Sequence, residues 1–255
     1  MSSSSKGSLS TRIARRLITT ESAYHHVRRA QLLAMYVSRR AHEQDFKYFR
    51  RLNGQEGLFI DVGANSGQSA ISFALFNSTY RIHSFEPYTQ LEPSLRFAKR
   101  LLGKRYSYSM FGLSDQEAVA TLYVPKLGDL PLLARASTHE SVVSELIAHI
   151  QPQYHRRLTV AEIRIQLRPF DSLNLAPQII KIDVEGAEPR VLQGMRETLI
   201  QHRPLLLIER SSSYDECHAI LSQAGYSAMV YDPESDVMSE LADAPRSTNF
   251  FALPQ

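Results

Sequence analysis

A single cysteine, Cys217, among 255 residues excludes an internal disulfide and points to a reducing, cytoplasmic setting. With no second cysteine and only scattered histidines, a zinc cage is excluded as well. No apolar run approaches the ~18 residues that a transmembrane helix needs. The Ser-rich stretch from Met1 to Ser10 lacks the apolar core of a secretory signal and reads as disordered. Neither an internal repeat nor a domain boundary after about residue 52 is visible. What is present is ordinary for a soluble globular chain: 43% hydrophobic and 22% charged residues, with length enough for one large α/β domain and its core.

The net charge of +3 hides an asymmetry. Residues 1–56 hold 11 Lys+Arg against 4 Asp+Glu, so the remainder is acidic by four charges. Residues 1–52 are therefore expected to form a disordered start and a basic helical arm, and residues 53–255 the body. The arm runs from about Glu21 to Leu52, with Val27, Ala30, Leu33 and Met35 predicted on the side that packs over one edge of the domain. Such a basic arm is open to peripheral contact with anionic lipid. Nucleic acid is the weaker alternative, because the body lacks an aromatic-basic stacking surface and an Asn-Pro-Pro-Tyr type of motif.

The chain is organised around Gly57 to Ser69. Leu58 to Val62 is a short, β-branched apolar run of the kind that forms a buried parallel strand. Gly63, Ala64, Asn65, Ser66 and Gly67 follow, small or tolerant of positive φ, and a helix then begins with Ala70, Phe73 and Ala74 on one face. Strand, small-residue turn and helix N-terminus together offer free N–H groups to a nucleoside-type ligand. A dinucleotide fingerprint has glycine at three positions that here read Gly63, Asn65 and Gln68, and no Gly-Lys-Ser or Gly-Lys-Thr follows to make a phosphate loop. Asp61, two residues before the first glycine, suits hydroxyls or an ammonium better than phosphates. These departures favour S-adenosylmethionine over a nicotinamide cofactor or a purely structural turn.

Further strands are predicted at Tyr80 to Phe85, Tyr106 to Phe111, Gln178 to Val184, Leu205 to Ile208, Tyr226 to Tyr231 and Ser247 to Leu253. Glu86 and Pro87 end the second, where a carboxylate can accept both ribose hydroxyls of an adenosine. Asp115, after the third, is placed to meet the adenine amino group or to cap its turn. Ala118 to Val124 and Ala161 to Leu167 alternate as an antiparallel pair. Residues 125–158 between them, with a helix near Ser141 to Ile150, are the candidate acceptor-binding lid. Asp183, Glu185 and Glu209 leave two strand ends on the ligand side. They are the candidate catalytic groups, with Asp183 as base, or a site for a magnesium-like cation.

Phe59-Ile60-Asp61-Val62-Gly63-Ala64-Asn65-Ser66-Gly67, Ser84-Phe85-Glu86-Pro87 and Lys181-Ile182-Asp183-Val184-Glu185-Gly186-Ala187-Glu188 resemble the signature segments of FkbM-type methyltransferases. Gly112-Leu113-Ser114-Asp115 and Phe170-Asp171-Ser172-Leu173 are similar to weaker blocks of that family. The resemblance spans about residues 57–253. It implies a Rossmann-like class I methyltransferase fold: a mostly parallel seven-stranded sheet with a C-terminal antiparallel hairpin strand, here with an N-terminal helical extension. It also implies S-adenosylmethionine-dependent O-methylation of a sugar, glycolipid or natural-product hydroxyl, the acceptor being a small molecule or glycan. The alternatives are an RNA-binding or RNA-modifying methyltransferase and a cofactor-binding protein without catalysis.

Overall fold

A computed structural model of the protein describes residues 21–128, 130–132, 136–153, 157–241 and 247–255. The expected disordered start, and Tyr154, His155 and Arg156 of the candidate lid, lie outside the described residues. In chain order the strands are β1 (Leu58–Val62), β2 (Arg81–Phe85), β3 (Tyr106–Ser109), β4 (Gly112–Leu113), β5 (Ala118–Leu127), β6 (Leu130–Pro131), β7 (Leu158–Arg168), β8 (Ile179–Ile182), β9 (Leu205–Glu209), β10 (Tyr226–Asp232), β11 (Val237–Glu240) and β12 (Asn249–Pro254). The helices are α1 (Glu21–Ser38), α2 (Gln68–Phe76), α3 (Glu92–Leu102), α4 (Glu140–Ile150), α5 (Glu188–Gln193), α6 (Arg196–Gln201) and α7 (Tyr214–Gln223). A 3₁₀ turn, Gln44–Leu52, precedes β1.

The central sheet has the order β11-β10-β12-β9-β8-β1-β2-β3. β1 pairs in parallel with β2 and β8, and β12 lies antiparallel between β9 and β10, as a right-handed βα progression with a late inserted strand requires. Two details correct the seven-stranded expectation. Val237–Glu240 adds an eighth, edge strand beside β10, too short and too exposed to carry a buried-strand pattern. The insertion also builds its own four-stranded sheet, β4-β7-β5-β6. There Ala118 faces Leu167 and Val124 faces Ala161, the ends of the two predicted alternating runs, and the ladder continues to Leu127 and Leu158.

Strand alternation divides the central sheet into two faces. Ile60, Val62, Ile180, Ile182, Leu206 and Ile208 pack under α5, α6 and α7 with Val191, Leu192, Leu199 and Leu221. On the other face Phe59, Ile179, Leu207 and Phe251 pack with Ile71 and Phe73 of α2, Ala98 of α3, and Phe46 and Phe49 of the 3₁₀ turn. Phe59 and Phe73 stack in parallel at 4.0 Å. The 3₁₀ turn is thus part of the core, because Phe46 and Phe49 have no other apolar surface to cover.

The arm also differs from its predicted form. It is not one helix: α1 stops at Ser38, Arg39 adopts φ 53°, and the Arg40 N–H returns to the Met35 carbonyl at 3.2 Å. Its inward residues are Tyr24, Leu32 and Met35, whereas Val27, Ala30 and Leu33 face solvent. α1 lies on helices α2 and α3 rather than over a sheet edge.

Candidate functional site

The two-residue period that buries Phe59, Ile179 and Leu207 carries Asp61, Lys181, Asp183 and Glu209 onto the same face at the carboxyl edge of the sheet. Asp61 and Lys181 are register partners on β1 and β8, both buried. Asp61 Oδ2 accepts the Ser84 hydroxyl at 2.9 Å, and Oδ1 is buried without a hydrogen-bond partner. Burial raises its carboxyl above the usual range against the opposing pull of Lys181. Asp61 therefore lies beneath the cofactor loop rather than in the cleft wall.

Above it the loop turns as its composition requires. Gly63 (φ 79°) and Asn65 (φ 51°) are left-handed, and the Gly63 and Ala64 N–H groups both donate to the Phe85 carbonyl, at 3.0 and 3.1 Å. A Cβ on Gly63 would sit 1.8 Å from the Asp183 carbonyl oxygen, so no other residue fits. Ser66 is buried with its hydroxyl on Asn65 Oδ1, and Gly67 caps α2. Glu86 braces this loop: Oε2 accepts the Asn65 N–H at 2.7 Å and Oε1 the Tyr88 N–H at 2.9 Å. Burial pushes its carboxyl up to about 7 despite those two bonds. Each oxygen retains a lone pair for a further donor.

A cleft is lined by Gly63, Asn65, Glu86, Pro87, Tyr88, Leu91, Asp183, Val184 and Glu185, with Leu122 and Ala136 contributed by the insertion. Of the sequence-predicted residues, Gly63, Asn65, Glu86, Pro87, Asp183 and Glu185 meet there, whereas Asp61, Ala64, Ser66, Gly67 and Glu209 are not among the lining residues. Asp115 is not among those lining residues; it is exposed and accepts the Ser114 hydroxyl at 2.9 Å.

Asp183, Glu185 and Glu209 do converge, with one carboxylate oxygen of each within 4.8 Å of the others. Part of their charge is offset by a buried lysine. Lys181 Nζ donates to Asp183 Oδ2 at 2.7 Å, and Asp183 and Glu209 are hydrogen-bonded to each other. Burial, that bond and the neighbouring carboxylates push Glu209 up to about 8. Burial opposes ionisation of Asp183 as well, but the Lys181 ammonium and the bond from Glu209 outweigh it and hold that carboxyl below its usual range. The two shifts run in opposite directions, so within the pair Glu209 holds a proton more tightly than Asp183.

Sequence reasoning missed what covers this edge. His42 and Glu43 come from the turn between α1 and the 3₁₀ segment, and Asp45 from the first turn of that segment. The His42 N–H donates to Ser72 Oγ at 3.1 Å, and the ring places Nδ1 2.8 Å from the same oxygen and Nε2 3.5 Å from Glu43 Oε1. Burial, with Lys181 nearby, pulls the imidazole down to about 4, so it is neutral at pH 7. Asn249 Nδ2 bonds Glu43 Oε2 at 3.2 Å and Asp45 Oδ2 at 2.8 Å. The sequence signal is only the polar run His42-Glu43-Gln44-Asp45. Glu188 anchors two loops from below, accepting the N–H groups of Val184 and Gly186 and the hydroxyls of Ser211 and Ser213.

Among known proteins, a family model described as the methyltransferase FkbM domain matches residues 61–228. The crystal structure of an FkbM methyltransferase from Methylobacillus flagellatus KT is similar at TM-score 0.50 and 18% identity, covering 95% of this chain and 57% of that one. This chain thus spans little more than half the length of that relative. An O-methyltransferase from Bacillus cereus in complex with SAH is similar at TM-score 0.42 and 11% identity, covering 90% and 91% of the two chains. A precorrin-6y C5,15-methyltransferase from Geobacter metallireducens GS-15 gives 0.44 and 10%, over 82% and 84%. A comparison with curated protein sequences finds no match. The family match takes in well over half of the chain, including the Gly63 loop, Glu86 and the Lys181 to Glu188 segment, and the chain belongs to the FkbM methyltransferase domain family.

Proposed function

We propose that the protein moves the methyl group of S-adenosylmethionine to a hydroxyl of a sugar, glycolipid or natural-product acceptor. Gly63, Ala64, Asn65, Ser66, Gly67, Glu86 and Pro87 hold the cofactor, with the ribose hydroxyls donating to Glu86. The acceptor lies at the strand ends, over Asp183, Glu185 and Glu209. The acceptor oxygen attacks the methyl carbon in line, the C–S bond breaks with its electron pair staying on sulfur, and the hydroxyl proton passes to the Asp183–Glu209 pair. The observation that carries this reading is that pair, hydrogen-bonded to each other and held from below by buried Lys181, beside the Gly63–Gly67 loop.

Titration of the purified protein with S-adenosylhomocysteine tests the cofactor half. We expect micromolar binding that Glu86→Ala loses; absence of heat from folded wild type would remove the assignment. Glu86 is half protonated near pH 7, and ribose hydroxyls favour its ionised form. Binding at about pH 6.5 should therefore release a fraction of a proton, measurable in buffers of different ionisation enthalpy, and affinity should weaken as pH falls below about 7. Glu86→Gln should abolish the release.

The acceptor half makes its own prediction. With Glu209 at about 8, loss of its proton turns the pair into a stronger base. kcat/KM should rise with pH through about 8, and Glu209→Gln should remove that limb. A flat wild-type profile over that range would exclude the pair as proton acceptor.

A further inference from the structure

The outward side of α1 plays no part in the core or the cleft. Its inward arc is Tyr24, Leu32 and Met35; the opposite arc carries Ser22 and His26 in its first half and Ala30, Leu33, Ala34 and Val37 beyond, flanked by Val27 and Tyr36, all exposed, with Val37 at 72%. A helix on a soluble surface normally sets polar residues opposite its buried stripe. Here the second half of the opposite side is apolar, and its rim is basic. Arg39 and Arg40 follow the helix and are exposed. Neighbouring α3 adds exposed Lys99 and Arg100.

We propose that this face of α1 docks on an anionic lipid bilayer, with Leu33, Tyr36 and Val37 entering the headgroup boundary and the arginines engaging lipid phosphates. Apolar residues at the centre and arginines at the rim are what an interfacial helix presents. Charge selects the occupant. A second copy stacked in parallel on the same face would oppose one Arg39–Arg40 pair to another. In any orientation it would bring up a second segment 1–56 with 11 Lys+Arg against 4 Asp+Glu. An anionic surface turns that repulsion into attraction. No helix among the described residues is long and apolar enough to cross a membrane, so the contact is peripheral.

The test is co-sedimentation of the full chain with vesicles of phosphatidylcholine containing phosphatidylglycerol, and with phosphatidylcholine alone. Binding is expected only to the anionic vesicles and should weaken with salt. Arg39→Glu with Arg40→Glu should lower the partition coefficient on the order of 30-fold, and Val37→Glu about tenfold. Affinity for S-adenosylhomocysteine serves as the fold control and should not change. Wild type that ignores anionic vesicles, or variants that bind as wild type does, would overturn the proposal. So would a concentration-dependent dimer that Val37→Glu dissociates, which would assign the face to a second copy of the chain.

Discussion

Asp183→Asn should cut methyl transfer by a factor of about 10² to 10⁴ while S-adenosylhomocysteine still binds, since the substitution removes proton acceptance and leaves the loop and Glu86 in place. Asparagine keeps the volume and can still accept from Lys181 Nζ, which donates to Asp183 Oδ2 at 2.7 Å. Its amide cannot receive the hydroxyl proton. Lys181 is buried, but Asp61 remains beside it on β1, so the ammonium is not left alone. A labelled-methyl assay read against calorimetric affinity separates the outcomes. Undiminished turnover would remove Asp183 from the chemistry, and loss of both turnover and binding would make its role structural.

The second large effect concerns Gly63. Gly63→Ala would put a Cβ 1.8 Å from the Asp183 carbonyl oxygen, at a backbone φ of 79°. The first term is a clash between two backbones and the second a left-handed strain of about 1–2 kcal/mol. Relief requires the carboxyl ends of β1 and β8 to separate. We expect a loss above roughly 4 kcal/mol, a fall in Tm on the order of 10 °C or more, and no cofactor binding. Gly54→Ala is the control: its φ of 94° is also positive, but nothing lies within 4 Å of the added carbon, so about 1–2 kcal/mol should suffice. Equal melting temperatures for the two variants would show that contact with β8 is not the constraint.

Local signals were legible wherever one strand or one turn decided them. The apolar run Leu58–Val62 is β1 residue for residue, and alternation alone set the β5–β7 register, because both are properties of neighbouring residues. The convergence of Gly63, Glu86 and Asp183 followed from the rule that parallel strands end on one edge. The face of α1 was misread because its sequence is apolar on both sides, so periodicity could not say which side faces inward. Glu43 and Asp45 escaped notice for a different reason. Their partner, Asn249, is more than 200 residues away, and no local pattern encodes such a meeting.

That separation also bears on how the enzyme is made. The segment bearing Glu43 is fastened to β12 through Asn249, and Arg50 and Arg51 reach Asp236 in the turn between β10 and β11, at 3.3 and 3.2 Å. A ribosome delivers residues 42–52 well before their partners, which lie some 185 to 206 residues further along the chain. Until residue 249 has emerged, Phe46 and Phe49 have Phe59 and Phe73 to pack on, but Glu43 and Asp45 lack the amide that holds them over the strand ends. The apolar packing of this segment can thus be laid down early, whereas its polar contacts close only once residue 249 has emerged.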